Sequence, residues 1–124
     1  MNALIVDDSR AIRRMICNMM STLGFETTEA SDGIEALQRL AEMETPDIVL
    51  VDWNMPEMDG LEFIKSVRRQ AEHRDLPMMM VTTECEMDRM ALAFVAGVNE
   101  YVMKPFTIEV IQSKLELLGI GVFQ

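Results

Sequence analysis

The stretch Asp47-Ile-Val-Leu-Val-Asp-Trp-Asn-Met-Pro-Glu-Met-Asp-Gly60 constrains this chain more than any other. Ile48 to Val51 run without a polar interruption into the carboxylate of Asp52. A run this short and this β-branched fits a strand buried on both faces, as inside a parallel sheet. Pro56 and Gly60 interrupt any regular continuation, so Asp52 stands where strand gives way to loop. In open α/β sheets, the carboxyl ends of the strands are where ligands and chemistry gather.

On either side of this stretch, short apolar runs alternate with segments of helical period. Ala3 to Val6 reads as a first strand, and Ile12, Met15, Ile16, Met19 and Leu23 follow at helical spacing, with Gly24 as the stop. Phe25 to Ala30 mixes Thr and Glu into a weaker strand that suits an edge. Ser31 and Asp32 cap a helix carrying Ile34, Leu37, Leu40 and Ala41 on one side. After the central strand, Asp47 to Val51, Asp59 or Gly60 opens a helix with Leu61, Ile64 and Val67 inward. Pro77 precedes a fourth strand, Met78 to Val81; Glu86 to Ala96 is helical and Gly97 stops it. Asn99 to Met103 is the fifth strand, Thr107 caps, and Ile108, Ile111, Leu115 and Leu118 line the last helix before Gly119 and Gly121 let the tail fray. Five such βα units predict a parallel five-stranded α/β sheet with helices on both faces, in one domain over residues 1–124 with its core over about 3–118.

Charge and composition exclude several function classes. A formal net charge of −10 argues against non-specific nucleic-acid binding, which neutralises phosphates with Lys and Arg. Cys17 and Cys85 fit neither a disulfide framework nor a metal-site spacing, and read as reduced thiols of a cytoplasmic protein. No run approaches membrane-spanning length, and the N-terminus lacks a signal-peptide pattern, which argues against export and membrane insertion. Neither G-x-G-x-x-G nor G-x-x-x-x-G-K-[ST] follows any strand, which weakens dinucleotide and nucleotide readings.

Four of the five strands end in groups able to do chemistry: Asp7-Asp8, Asp52, Thr82-Thr83 and Lys104. Two carboxylates about 4 Å apart repel by roughly 4 kcal/mol at an effective dielectric near 20. Such a cluster must hold protons, lower its charge with Lys104, or bind a cation. Oxygen ligands favour Mg²⁺ over zinc, and the only histidine, His73, reads as solvated in a polar helix end. Two negative charges at the start of the first helix also repel a resident anion such as the phosphate of FMN.

At this point the motifs match a known family. Asp7-Asp8, V-D-W-N-M-P-x-M-D-G at 51–60, V-T-x-E at 81–84 and Y-x-x-K-P-F at 101–106 resemble a response-regulator receiver domain, and among these the single-domain chemotaxis regulators, from about Ala3 to Leu118. The resemblance implies a flavodoxin-like (βα)5 fold with strand order 2-1-3-4-5 and a two-component phosphoryl-transfer switch. Asp52 would accept the phosphoryl group from a sensor kinase phosphohistidine. Mg²⁺ would be held by Asp8, Asp52 and the backbone carbonyl of Asn54, with Asp7 reached through water. Lys104 would neutralise the transferring group and Thr82 would bond a phosphate oxygen. Thr82 moving inward would make room for Tyr101 to swing, biasing a face made by the fourth helix, fifth strand and fifth helix. Asn54 and Glu84 would stand at positions that in this family tune acyl-phosphate hydrolysis, and Lys104-Pro105 resembles the family's cis peptide.

Three features lie outside these motifs. In the fourth helix we expect Leu92, Val95 and Ala96 to face the sheet, leaving Met87, Met90 and Phe94, with Met103, to dock a partner. Arg10, Arg13 and Arg14 cluster at the start of the first helix, where the helix dipole gains nothing from cations; they read as counter-charge to the acid pocket or as a kinase-docking surface. Trp53, the only tryptophan, adjoins Asp52.

The leading function is a monomeric signalling switch acting in trans, in chemotaxis and flagellar motor control, with a sensor histidine kinase, a downstream protein such as the motor switch, and a phosphatase as partners. The alternative within this class is a stand-alone phosphorelay intermediate passing phosphate to a histidine phosphotransferase. A Mg²⁺-dependent phosphohydrolase would need a general acid two residues beyond Asp52, which Asn54 does not supply, so the chain reads as a switch that catalyses its own phosphorylation and dephosphorylation and not as an enzyme.

Overall fold

The computed structural model describes residues 1–121, and the fraying expected at the end of the chain lies partly outside them. The strands are β1 (Asn2–Val6), β2 (Glu26–Ala30), β3 (Ile48–Val51), β4 (Met78–Thr82) and β5 (Glu100–Met103). The helices are α1 (Arg10–Thr22), α2 (Gly33–Glu42), α3 (Gly60–Arg68), α4 (Met87–Ala96) and α5 (Ile108–Leu117), with a 3₁₀ turn at Ala71–His73. All strands pair in parallel, in the order β2-β1-β3-β4-β5. This is the flavodoxin-like order, with the Thr- and Glu-bearing β2 at one edge as expected.

Alternation along each strand divides the core into two layers. Leu4, Val6, Val49, Val51, Met78 and Met80 point to one face, where Ala36 and Leu40 of α2, Phe63, Ile64 and Val67 of α3 and Ala93 of α4 cover them. Ala3, Ile5, Ile48, Leu50, Met79, Val81 and Val102 point to the other, under Ile16, Cys17 and Met20 of α1 and Ile111 and Leu115 of α5. Because helices cover both faces, the strands carry apolar residues at successive positions.

Side-chain caps set where four of the helices begin. Ser9, Asp32, Asp59 and Thr107 accept the N–H groups of Ile12, Glu35, Glu62 and Val110 respectively. Gly24 follows α1 with φ of 96°, the conformation its position after the helix requires.

Several helix faces differ from the periodicity reading. In α1 the buried residues are Ile16, Cys17 and Met20, while Met15 is exposed and, with Met19, lines a groove beside Phe106 and Ile108. In α2 the small residues Gly33 and Ala36 let the helix approach closely, which leaves Ile34 and Ala41 exposed. In α4 the core side is Ala93, flanked by Met90 and Ala96; Leu92 and Val95 point to solvent, the latter 86% exposed. Apolar residues surround α4, so spacing alone did not fix its rotation, and a small alanine at the point of contact decided it. His73 is also buried, with Nδ1 2.8 Å from Oε1 of Gln70, because the 3₁₀ turn folds it inward.

Gly60 holds the loop after β3 against the strand. Its N–H donates to the Trp53 carbonyl at 2.8 Å, and a Cβ at this position would collide with the Asp52 carbonyl oxygen. We expect Gly60→Ala to displace that loop and lower stability by about 1–3 kcal/mol, read from the midpoint of urea unfolding.

Candidate functional site

Strand register builds the site. Val6 pairs with Val51, so the next residues, Asp7 and Asp52, emerge side by side at the carboxyl edge. The ladder continues one bond further: the Asp52 N–H donates to the Val6 carbonyl at 2.9 Å. Asp7 and Asp52 are buried, 1% and 8% exposed, and Asp8 is exposed at the rim. Carboxylate oxygens of all three lie within 4.8 Å of one another. An all-oxygen cluster at the edge of a sheet is the donor set a hard divalent cation takes.

Lys104 supplies the counter-charge. Its Nζ donates to Asp7 Oδ2 at 2.8 Å and to Asp52 Oδ2 at 3.2 Å. Lys104 reaches this edge because it follows β5, whose Met103 pairs with Thr82, and the Lys104 N–H donates to the Thr82 carbonyl at 2.9 Å. The Lys104–Pro105 peptide is cis, as the motif implied. Oδ1 of Asp52 accepts the Trp53 N–H at 2.7 Å, and Oδ1 of Asp7 accepts the Ser9 N–H at 2.9 Å. Burial raises the Asp7 carboxyl above its ordinary value despite the Lys104 and Ser9 hydrogen bonds. Burial alone would lower Lys104, but its hydrogen bond to Asp7 and the charges of Asp52 and Asp7 leave its ammonium above the usual range.

The other expected residues form a second group at the end of β4. Thr82 is fully buried and its Oγ1 accepts the Glu84 N–H at 3.3 Å. Asn54 Nδ2 donates to Glu84 Oε1 at 3.1 Å, linking the loop after β3 to the loop after β4. Tyr101 stands in the inward position, 6% exposed, with its hydroxyl donating to the Glu84 carbonyl at 2.8 Å. Phe94 packs near it, ring centroids 6.3 Å apart.

On the face expected to dock a partner, Met87, Phe94 and Met103 are exposed, at 84%, 44% and 49%. Met90 is less open, being partly buried against the core. Leu92 and Val95, expected inside, enlarge this apolar surface instead.

The arginines at the start of α1 do not neutralise the acid pocket. Arg13 and Arg14 pair with Glu29 of β2, at 2.8 and 3.3 Å, and Arg10 is exposed. Two contacts escaped the sequence reading. Arg89 of α4 places its guanidinium 5.2 Å from the Trp53 ring centre, and Arg68 of α3 donates to the carbonyls of Gly97 and His73 and to Asn99 Oδ1. Neither follows a periodic or motif signal, since the Arg89–Trp53 contact and the Arg68 bonds to Gly97 and Asn99 join residues far apart in the chain.

The buried phenol of Tyr101 gives an alkaline signature. Burial, then the nearby Glu84 charge, pushes its pKa from 10.0 up to about 12. A folded-state pKa above the unfolded one means that its contribution to stability is complete below pH 10 and is lost as pH rises toward 12. Lys104, also raised, adds to the loss in the same direction above 10.5. Because Tyr101 is the only tyrosine, ultraviolet difference titration should give a midpoint near 12 in the folded chain and near 10 in denaturant.

Comparison with known proteins agrees with this geometry. The family model described as response regulator receiver domain matches residues 3–116. The chemotaxis protein CheY homolog of Campylobacter jejuni is 46% identical over 98% of this chain and 95% of its own length. The chemotaxis protein CheY1 of Helicobacter pylori is 43% identical over 95% of this chain and 96% of its own. Among solved structures, the chemotaxis protein CheY4 of Vibrio cholerae superposes with a TM-score of 0.87 at 34% identity, covering 94% of this chain and 96% of that one. An acid triad and a lysine brought to one sheet edge by strand register, on a fold and sequence shared with chemotaxis regulators of two-component systems, place this chain in the response regulator receiver domain family.

Proposed function

We propose that Asp52 accepts a phosphoryl group from the phosphohistidine of a sensor kinase and that the acyl phosphate sets the partner-binding state of the α4/β5/α5 face. The observation that supports this most directly is the Asp52 carboxylate at the end of β3, in one cluster with Asp7 and Asp8 and 3.2 Å from the Lys104 ammonium. In the reaction a carboxylate oxygen of Asp52 attacks phosphorus, the P–N bond to the kinase imidazole breaks, and the imidazole leaves with its electron pair.

The donor set suits Mg²⁺, which Asp8, Asp52 and the Asn54 carbonyl would hold with Asp7 nearby. When bound, it supplies positive charge against the oxygens of the transferring group. Lys104, shared between Asp7 and Asp52, is placed to turn toward a phosphoryl oxygen, since its flexible stem carries three donors. The Thr82 hydroxyl would donate to another oxygen, giving up the Glu84 N–H as partner. Asn54 and Glu84, bonded to each other across the entrance, would control the approach of the hydrolytic water. Tyr101 is tied to the Glu84 carbonyl, so a shift of Thr82 and Glu84 is communicated to β5 and to the exposed Met87, Phe94 and Met103.

This reading assigns the chain to cytoplasmic chemotaxis signalling, with a kinase upstream and a flagellar motor switch component downstream, and with a phosphatase able to reach Asp52. No described helix is long and apolar enough to cross a membrane. The net charge of −10 argues against nucleic acid as the output partner.

Incubation with a small phosphodonor and Mg²⁺ should add one phosphoryl mass to the intact protein, and Asp52→Asn should abolish the adduct. Absence of an adduct on the wild type under any donor would end this reading. Met87→Lys should keep the adduct while weakening capture of the downstream partner at least tenfold; unchanged capture would remove α4 from the docking face.

A further inference from the structure

We propose that Arg13 is a positioning residue for the cation site: with Glu29 it fixes the Asp7–Asp8 peptide and so aims the Asp8 carboxylate. Arg13 Nη1 donates to the Asp7 backbone carbonyl at 2.7 Å while its Nε donates to Glu29 Oε1 at 2.8 Å. The side chain is only 15% exposed.

Each polar group of Asp7 is held. Its N–H donates to the Ala30 carbonyl at 3.1 Å, its side-chain oxygens accept from Ser9 and Lys104, and its carbonyl accepts from Arg13. Asp8 differs: it lies exposed at the rim and makes no side-chain hydrogen bond among the described residues. The direction in which its carboxylate points therefore depends on its backbone. The peptide that joins it to Asp7 has its carbonyl beyond the end of β1, outside the strand ladder, and the Arg13 guanidinium is what bonds it. Glu29 holds the guanidinium from β2, so two strands and a helix together set that peptide plane.

The charge of Arg13 does not explain its place, because Glu29 balances it. The planar fork does, since it reaches two acceptors in fixed directions. Groups that orient a metal ligand typically contribute 10–100-fold to metal affinity.

Electrostatics and positioning predict opposite signs, which makes the test decisive. Removing a cation beside an acidic cluster strengthens attraction for Mg²⁺, whereas losing the orientation of Asp8 weakens binding. We expect Arg13→Ala to weaken Mg²⁺ binding about tenfold, followed by Trp53 fluorescence and by calorimetry with Mg²⁺ alone. Arg13→Lys, which keeps the charge and loses the fork, should weaken it to a lesser degree and decides the matter if the alanine variant does not fold. Arg14→Ala removes a cation paired with the same Glu29 but not bonded to Asp7, and should leave affinity unchanged or tighter. Equal or tighter binding by both Arg13 variants overturns the role, even if their stability falls, and so does an equal loss in Arg14→Ala. The inference rests on the cation reading of Asp7, Asp8 and Asp52: a wild type that binds no Mg²⁺ overturns both, whereas wild-type binding with unaffected Arg13 variants overturns this inference alone.

Discussion

The pairing of β1 with β3 is the constraint on which the rest depends. Parallel register with Val6 opposite Val51 brings two buried carboxylates to neighbouring positions, and one lysine from the far end of the chain bridges them. A one-residue slip of β3 along β1 would turn the Asp52 carboxylate to the opposite face of the sheet and set it beside the wrong neighbour. The slip is resisted because both faces are dry: Ile48, Val49, Leu50 and Val51 are each at most 1% exposed, and their branched side chains are divided between two helix layers. The packing of the core and the position of Asp52 are thus one problem with one solution.

The site works against the fold that carries it. Asp7 is an acid whose burial disfavours its ionised form, and the Lys104 bridge offsets only part of that effect. The structure tolerates it because the strain is confined to the carboxyl edge, while among the described residues the opposite ends of the strands carry no comparable buried acid: the buried polar side chains of those residues are Asp7, Asp52, His73 and Thr82. Keeping charged chemistry at one rim leaves a cluster that gains from any cation able to rebalance it.

Much of this was legible in the sequence, for local reasons. Strand ends are marked by abrupt changes from apolar to charged residues, so Asp7, Asp52, Thr82 and Lys104 could be placed on one edge from the βα alternation alone. Helix rotation was less legible. In α4 the candidate stripes overlapped, because Met87, Met90, Leu92, Phe94 and Val95 surround the axis, and Ala93 set the contact by being small. The burial of His73 and the fork of Arg68 depend on how a 3₁₀ turn folds over a helix end, which no periodicity records. The arginines of α1 could be seen as a cluster, but their partner on β2 became visible only once that strand had a register against β1.

The distribution of methionine has a chemical consequence. Met78, Met79 and Met80 are sealed inside β4, at 0% exposure, whereas Met87 and Met103 stand open on the face that would meet a partner. An oxidant therefore reaches the thioethers of this face before those of β4. Conversion to sulfoxide there replaces an adaptable apolar side chain with a polar one and leaves the interior sulfurs untouched. On the proposed docking face, oxidative damage would thus weaken partner binding while the architecture stayed whole, and reductases that act on exposed sulfoxide could restore it without refolding.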